Sequence, residues 1–155
     1  MAKLEELLGA LSGARPGGWV YPRRPVVSRL APPNPLPQEA DAYPMIRIIP
    51  GRGSQLEGAG IAATRRLYRY GFHVDIHGVV APDEDAIADT WRYRLREDIA
   101  QVLHEHCTLG GVAETLEFGG GRDRREDVDE GQIAPKAWFV LPFTVWLRQE
   151  YATAA

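Results

Sequence analysis

The sequence is poor in the residues and motifs that mark several large classes of protein. Cys107 is its only cysteine, so an internal disulfide cannot form. No apolar run approaches the ~18 residues that a membrane-spanning helix requires, and we expect no membrane partner. The motifs Gly-x-Ser-x-Gly, His-Glu-x-x-His and Cys-x-x-Cys do not occur either. We therefore expect neither enzyme activity nor a cofactor.

Charge is low overall but unevenly distributed along the chain. The formal net charge is −3, which is too small to indicate sequence-specific nucleic-acid binding. Residues 1–80 contain ten Lys and Arg against six Asp and Glu, whereas residues 81–155 contain eight against fifteen. The two balances, +4 and −7, are compatible with copies that meet basic side against acidic side. They are equally compatible with an uneven surface that has no partner.

The segment from residue 65 to residue 111 predicts a long strand followed by a long helix. Along residues 67–80 apolar and polar side chains alternate, which is typical of a strand with one buried face. One parity contains Tyr68, Tyr70, Phe72, Val74, Ile76 and Val80, and the other contains Arg69, Gly71, His73, Asp75 and His77. A proline and three acidic residues then favour a helix start, and an apolar stripe predicts a helix over about 83–107. The stripe consists of Ile87, Trp91, Leu95, Ile99 and Leu103.

The whole chain, residues 1–155, is predicted to form a single domain with three parts. A short amphipathic helix is expected at residues 1–12. A proline-rich arm follows at residues 13–43, and it should run extended over its own domain or over a neighbouring copy. The core is expected at residues 44–151.

Two loops and an apolar strand are expected inside that core. Glycine-rich residues 52–64 predict a mobile loop, and the glycines and charged residues of 119–135 predict another. Residues 112–118 predict a short strand between them. Residues 137–147 predict a strand with two apolar faces, so both faces should be covered by helices, by the arm or by another subunit.

The sharpest chemical pattern consists of His73, Asp75 and His77. On a strand these residues share one face, about 6.5–7 Å from one to the next. Imidazole and carboxylate ligands suit zinc or iron, so one hypothesis is a metal-binding domain or a metal-dependent enzyme. The alternative is a polar sheet face or a subunit contact, which we favour because no fourth ligand can be named.

The order of elements and four sequence patterns resemble the tail terminator (tail completion) proteins of tailed bacteriophages. The patterns are Phe72-His-Val-Asp-Ile-His-Gly-Val-Val80, Pro82-Asp-Glu-Asp85, Thr108-Leu-Gly-Gly-Val112 with the strand after it, and Phe143-Thr-Val-Trp-Leu-Arg148. The resemblance covers residues 44–150 and, more loosely, the first helix. Other neck, collar and sheath-associated connector proteins of phages share the same pattern.

The resemblance implies an α+β fold with a mostly antiparallel β-sheet, the long helix and the short N-terminal helix packed on one face, and the proline-rich arm added. It implies a structural virion protein that forms a homohexameric ring in the viral neck. Such a ring caps the tail tube and acts as a head–tail connector during virus assembly. The expected partners are copies of itself, the tail tube protein, the head-side connector or stopper protein and, as a further candidate, the sheath protein. DNA would pass through the ring lumen, and the expected location is the virion tail after assembly in the host cytoplasm.

A ring of identical subunits needs head-to-tail contacts that close by rotation. We expect these contacts from the arm, the 119–135 loop, the polar face of the long strand and the tryptophans of the last strand. The candidate interface residues are Trp19, Tyr21, Arg69, His73, Asp75, His77, Arg122, Arg124, Arg125, Glu126, Asp127, Trp138 and Trp146.

Overall fold

The fold is known from a computed structural model that describes residues 1–11, 23–62, 65–118, 129–133 and 135–152. Side chains are described in these ranges except at residues 51–62, 65–67, 129 and 149–152. The described chain forms two α-helices and a six-stranded, mostly antiparallel sheet, which confirms the expected α+β class. No helix in these ranges is both long and apolar enough to cross a membrane.

The sheet has the strand order β1-β2-β3-β6-β4. Strand β5 lies off this path and also pairs with β6. In chain order the elements are α1 (Ala2–Gly9), β1 (Val26–Ser28), β2 (Met45–Ala62), β3 (Arg65–Val80), α2 (Ala88–Glu105), β4 (Thr115–Phe118), β5 (Asp129–Ile133) and β6 (Lys136–Ala152). The pairing of β1 with β2 is parallel, and all the other pairings are antiparallel. The three longest strands, β2, β3 and β6, are adjacent and form the centre of the fold.

Both helices pack on one face of the sheet, which we call the helix face. The buried cluster there takes alternate residues from each central strand, as the period of two requires. Its members include Leu4 and Leu8 from α1, Trp91, Leu95, Ile99 and Leu103 from α2, Ile46 and Ile48 from β2, Val74 and Ile76 from β3, and Phe139 and Phe143 from β6. Burying each large apolar side chain stabilises the fold by roughly 1.5–3 kcal/mol.

Helix α2 is shorter than the predicted span of residues 83–107. Its first residues are replaced by a turn in which the carboxylate of Asp83 accepts hydrogen bonds from the amides of Asp85 and Ala86, each at 2.9 Å. Ile87, predicted to lie on the apolar stripe, precedes the helix and is 68% exposed. Asp98, which is not one of the stripe residues, is buried. Helix α1 is also shorter than the predicted span of residues 1–12, and it ends at Gly9.

Two segments predicted as loops contain strands. Strand β2 continues through the glycine-rich residues to Ala62, and its register with β3 shifts between Pro50 and Ser54 and again between Gly58 and Gly60. These irregularities let a strand tolerate a proline and several glycines, because the long partner β3 supplies the ladder of hydrogen bonds. Within the predicted 119–135 loop, β5 forms a hairpin with the start of β6.

The second face of the sheet, which we call the distal face, is partly covered by the described portion of the proline-rich arm. Strand β1 extends the sheet beside the first residues of β2. Farther along, Leu36 and Tyr43 pack with Met45, Val79 and Trp138. The described residues of this segment therefore cover one end of the distal face.

Candidate functional site

Trp146 is sealed within its own chain on the distal face. It is directly opposite Gly71, where a Cβ would lie only 2.9 Å from Cζ3 of the indole. The guanidinium carbon of Arg69 lies 4.1 Å from the indole centroid, and the indole N–H donates to Oε2 of Glu117 at 2.8 Å. Trp146 is only 3% exposed, so its indole offers little surface to a neighbouring subunit, and its assignment to a subunit contact stays a prediction.

Trp138 is half-buried, and it too lies against a glycine on the neighbouring strand. Its cross-strand partner is Gly131 in β5, where a Cβ would lie 2.7 Å from the indole. The arm covers the indole from another direction through the cluster that contains Tyr43 and Met45. Trp138 therefore serves first to attach the arm and β5 to the sheet.

A third glycine–aromatic pair, Gly78 with Phe139, lies on the helix face. In all three pairs the aromatic side chain belongs to β6 and its glycine is the direct partner on the next strand. A glycine in a strand leaves apolar surface open, and a cross-strand aromatic side chain can cover it. Sequence reasoning missed these pairs because strand register decides which glycine faces which aromatic residue.

The polar residues of β3 lie on the distal face, as their parity predicts. Nδ1 of His73 is 3.1 Å from Oγ1 of the buried Thr144. His77 lies directly opposite Arg47 of β2. Burial lowers the pKa of His77, and the negative charge of Asp75 opposes this shift. This strip of the sheet therefore favours a neutral His77.

The three predicted metal ligands are not gathered into one site. Among the described residues there is no group of three or more His, Cys, Asp or Glu side chains that could hold a metal ion. The sheet gives His73 a different neighbour, because its Nδ1 lies 3.1 Å from Oγ1 of Thr144.

Two arginines of the distal face share one carboxylate. Nε of Arg69 lies 3.4 Å from Glu114, and a terminal nitrogen of Arg148 lies 3.8 Å from the other oxygen of the same carboxylate. The side chain of Arg148 is 57% exposed, more than that of Arg69 at 26%. Arg148 thus presents a positive charge at the edge of the sheet.

A row of aromatic residues continues along the helix face of β3 beyond the buried cluster. The centroids of Tyr68 and Tyr70 are 6.4 Å apart, and those of Tyr70 and Phe72 are 6.5 Å apart. The buried cluster takes Val74 as its first β3 residue, while Phe72 is 44% exposed. The alternation predicts that this side of β3 is apolar. How much of it is buried depends on how far along the strand the helices pack.

Seven of the candidate interface residues lie outside the described residues. They are Trp19, Tyr21, Arg122, Arg124, Arg125, Glu126 and Asp127. Their assignment to a subunit contact stays a prediction.

A comparison with models of known protein families finds no match, and neither does a comparison with curated proteins. The geometry described above and the sequence resemblance are therefore the basis for assigning a function.

Proposed function

We propose that this protein is a ring-forming structural subunit at the head–tail junction of a tailed bacteriophage. In this role it is a tail terminator that caps the tail tube and receives the head-side connector. The resemblance of the sequence supports the role, and the α+β fold with both helices on one face is compatible with it. The proposed function is to bind copies of itself and the tail tube.

One observation supports this proposal above all: the three central strands continue together well past Phe72, which is itself 44% exposed. After the row formed by Leu56, Tyr70 and Leu147, the strands β2, β3 and β6 continue together to a last row at Ala62, Arg65 and Ala152. We call this three-stranded extension, residues 56–62, 65–70 and 147–152, the ribbon. At about 3.3 Å per residue it extends the sheet by roughly 20 Å.

A ribbon of this kind needs a covering surface to be stable. Strands gain most of their stability from a buried face, and small isolated sheets are marginal in water. The buried residues from α1 and α2 share their cluster with Val74 and Ile76, but Phe72 at the base of the ribbon is 44% exposed. A neighbouring copy in a ring would cover this aromatic side chain and the ribbon beyond it.

The test is electron microscopy of the purified protein, alone and mixed with the tail tube protein of the same phage. We expect rings in the images and one ring at the end of each tube, with tube growth stopped there. A protein that stays monomeric at high concentration and leaves the tube ends bare would overturn the proposal.

A matched pair of variants makes the test specific to the ribbon. Phe72→Gln should weaken ring formation and leave the fold intact, because Phe72 is already exposed. Tyr93→Gln is the control, since Tyr93 is an exposed aromatic residue on α2, at 58%. Equal assembly of both variants would remove the role assigned to the ribbon.

A further inference from the structure

The ribbon has two outer edges that no described strand covers. Among the described strands only β1 pairs with this side of β2, and it does so only as far as Arg47, which leaves residues 48–62 without a described partner there. On the other side, β5 and β4 pair with β6 only as far as Trp146, so residues 147–152 have no partner on that side in the part of the chain that the structure describes. Open strand edges expose N–H and C=O groups that can pair with another chain.

The two open edges lie side by side on the same part of the molecule. Leu56 of β2 and Leu147 of β6 occupy one row of the sheet, and Ala62 and Ala152 occupy the last row. Over these rows the edges have nearly equal length, roughly 20 Å. A second copy placed beside the first can therefore bring its β2 edge against the β6 edge along the whole ribbon.

Strand direction determines how copies would meet. Strands β2 and β6 are both antiparallel to β3, so they run in the same direction. A rotation about an axis along the strands keeps that direction, and the β6 edge of one copy would meet the β2 edge of the next in a parallel pairing. This contact uses two different edges, so it repeats head to tail and can close into a ring.

Charge favours the same arrangement. Glu57 of β2, Arg69 of β3 and Arg148 of β6 occupy one row of the sheet. When the edges of two copies pair without a shift in register, Arg148 of one copy lies in the row of Glu57 of the next. The guanidinium of Arg148 is 57% exposed although it lies 3.8 Å from Glu114 of its own chain, so it would then have a second acidic residue in its row across the junction.

We propose that copies of this chain join by parallel pairing of the β6 edge of one copy with the β2 edge of the next, with Arg148 beside Glu57. This contact depends on the ring proposed above, and it names the surface that builds the ring. The result is a continuous sheet around the ring, with no open edge left in the ribbon.

Two charge reversals test the contact when they are made separately and then mixed. Glu57→Arg places two arginines at every junction, and Arg148→Glu places two glutamates there, so each variant alone should lose assembly. In an equimolar mixture each junction between unlike copies again joins Arg to Glu, so assembly should return. Mass photometry measures the assembled species, and circular dichroism checks the fold. Glu84→Arg is the control, because Glu84 is exposed beyond the other end of β3 and should assemble normally.

The outcomes separate this contact from the ring itself. If the unaltered protein forms rings and each single variant does so as well, the edge contact is overturned and the ring stands. If both variants stay monomeric and their mixture does too, the charges act within one chain and the edge contact is again overturned. If the unaltered protein never assembles, with or without the tail tube protein, the ring and the edge contact both fail.

Discussion

Replacing Gly78 by alanine tests whether the close glycine–aromatic pairs are needed for the fold. A Cβ at Gly78 would overlap the phenyl ring of Phe139, which is fully buried on the helix face. Phe139 is enclosed by the helices and cannot move away freely, so the strand and the phenyl ring must shift together. Overpacking of this kind typically costs roughly 1–3 kcal/mol in the free energy of unfolding. For a domain of this size, each kcal/mol lowers the melting temperature by about 2–4 °C.

Urea denaturation measures this loss directly, and Gly9→Ala is the matched control. A Cβ at Gly9 would meet only Cγ2 of Val27, at an ordinary 3.9 Å, so the control should be neutral or slightly stabilising. Combining Gly78→Ala with Phe139→Leu should cost less than the sum of the two single changes, because the smaller side chain makes room. A Gly78→Ala variant as stable as the unaltered protein would refute the role given to these pairs.

Three further predictions concern titration and backbone geometry, and urea denaturation checks each of them. Burial lowers the pKa of His77, so the unfolded chain binds a proton at higher pH than the folded chain does. The free energy of unfolding should therefore fall as the pH drops below ~6.5, and His77→Gln should flatten that dependence. Slight burial raises the pKa of Asp83, but hydrogen bonds from Trp91 and two backbone amides lower it overall. This carboxylate should therefore stabilise the fold above about pH 4 and lose that effect in acid. Asp83→Asn should remove this acid dependence. Gly110→Ala should cost about 1 kcal/mol because φ is +69° there, although the nearest neighbour, Cε of Lys3, is 3.6 Å away and leaves room; no loss would show that this backbone relaxes freely.

The sequence predicts best where the pattern is local. The alternation in β3 places Val74 and Ile76 on the buried face, and the structure agrees. The apolar stripe of the long helix is likewise buried at Leu95 and Ile99. Both patterns repeat within a few residues, so packing against a single neighbouring layer is enough to fix them.

Segments that depend on distant partners are predicted poorly. The glycine-rich stretch up to Ala62 has no local strand signal, yet pairing with β3 makes it a strand. The burial of Trp146 depends on the strand register that places it opposite Gly71, and the pairing of the whole sheet decides that register. The two apolar faces of the last strand predict that both faces are covered. They do not predict that Gly71 and Arg69 of the same chain cover the indole of Trp146.

The same non-local geometry gives the assembly hypothesis its physical basis. The aromatic surface expected to join copies is largely used inside the chain, as Trp146 and Trp138 show. What remains is the ribbon, with the exposed Phe72 at its base and an outer edge on each side that none of the described strands pairs with. Subunit contacts are therefore expected from backbone edges and charge more than from exposed tryptophans.

Native mass spectrometry of the purified chain over a range of concentrations, with and without the tail tube protein, tests the ring most directly. The ring proposal predicts one closed species with a fixed number of copies, six if it follows the tail terminators that the sequence resembles. A chain that stays monomeric at every concentration, with tube protein present as well as absent, would contradict it.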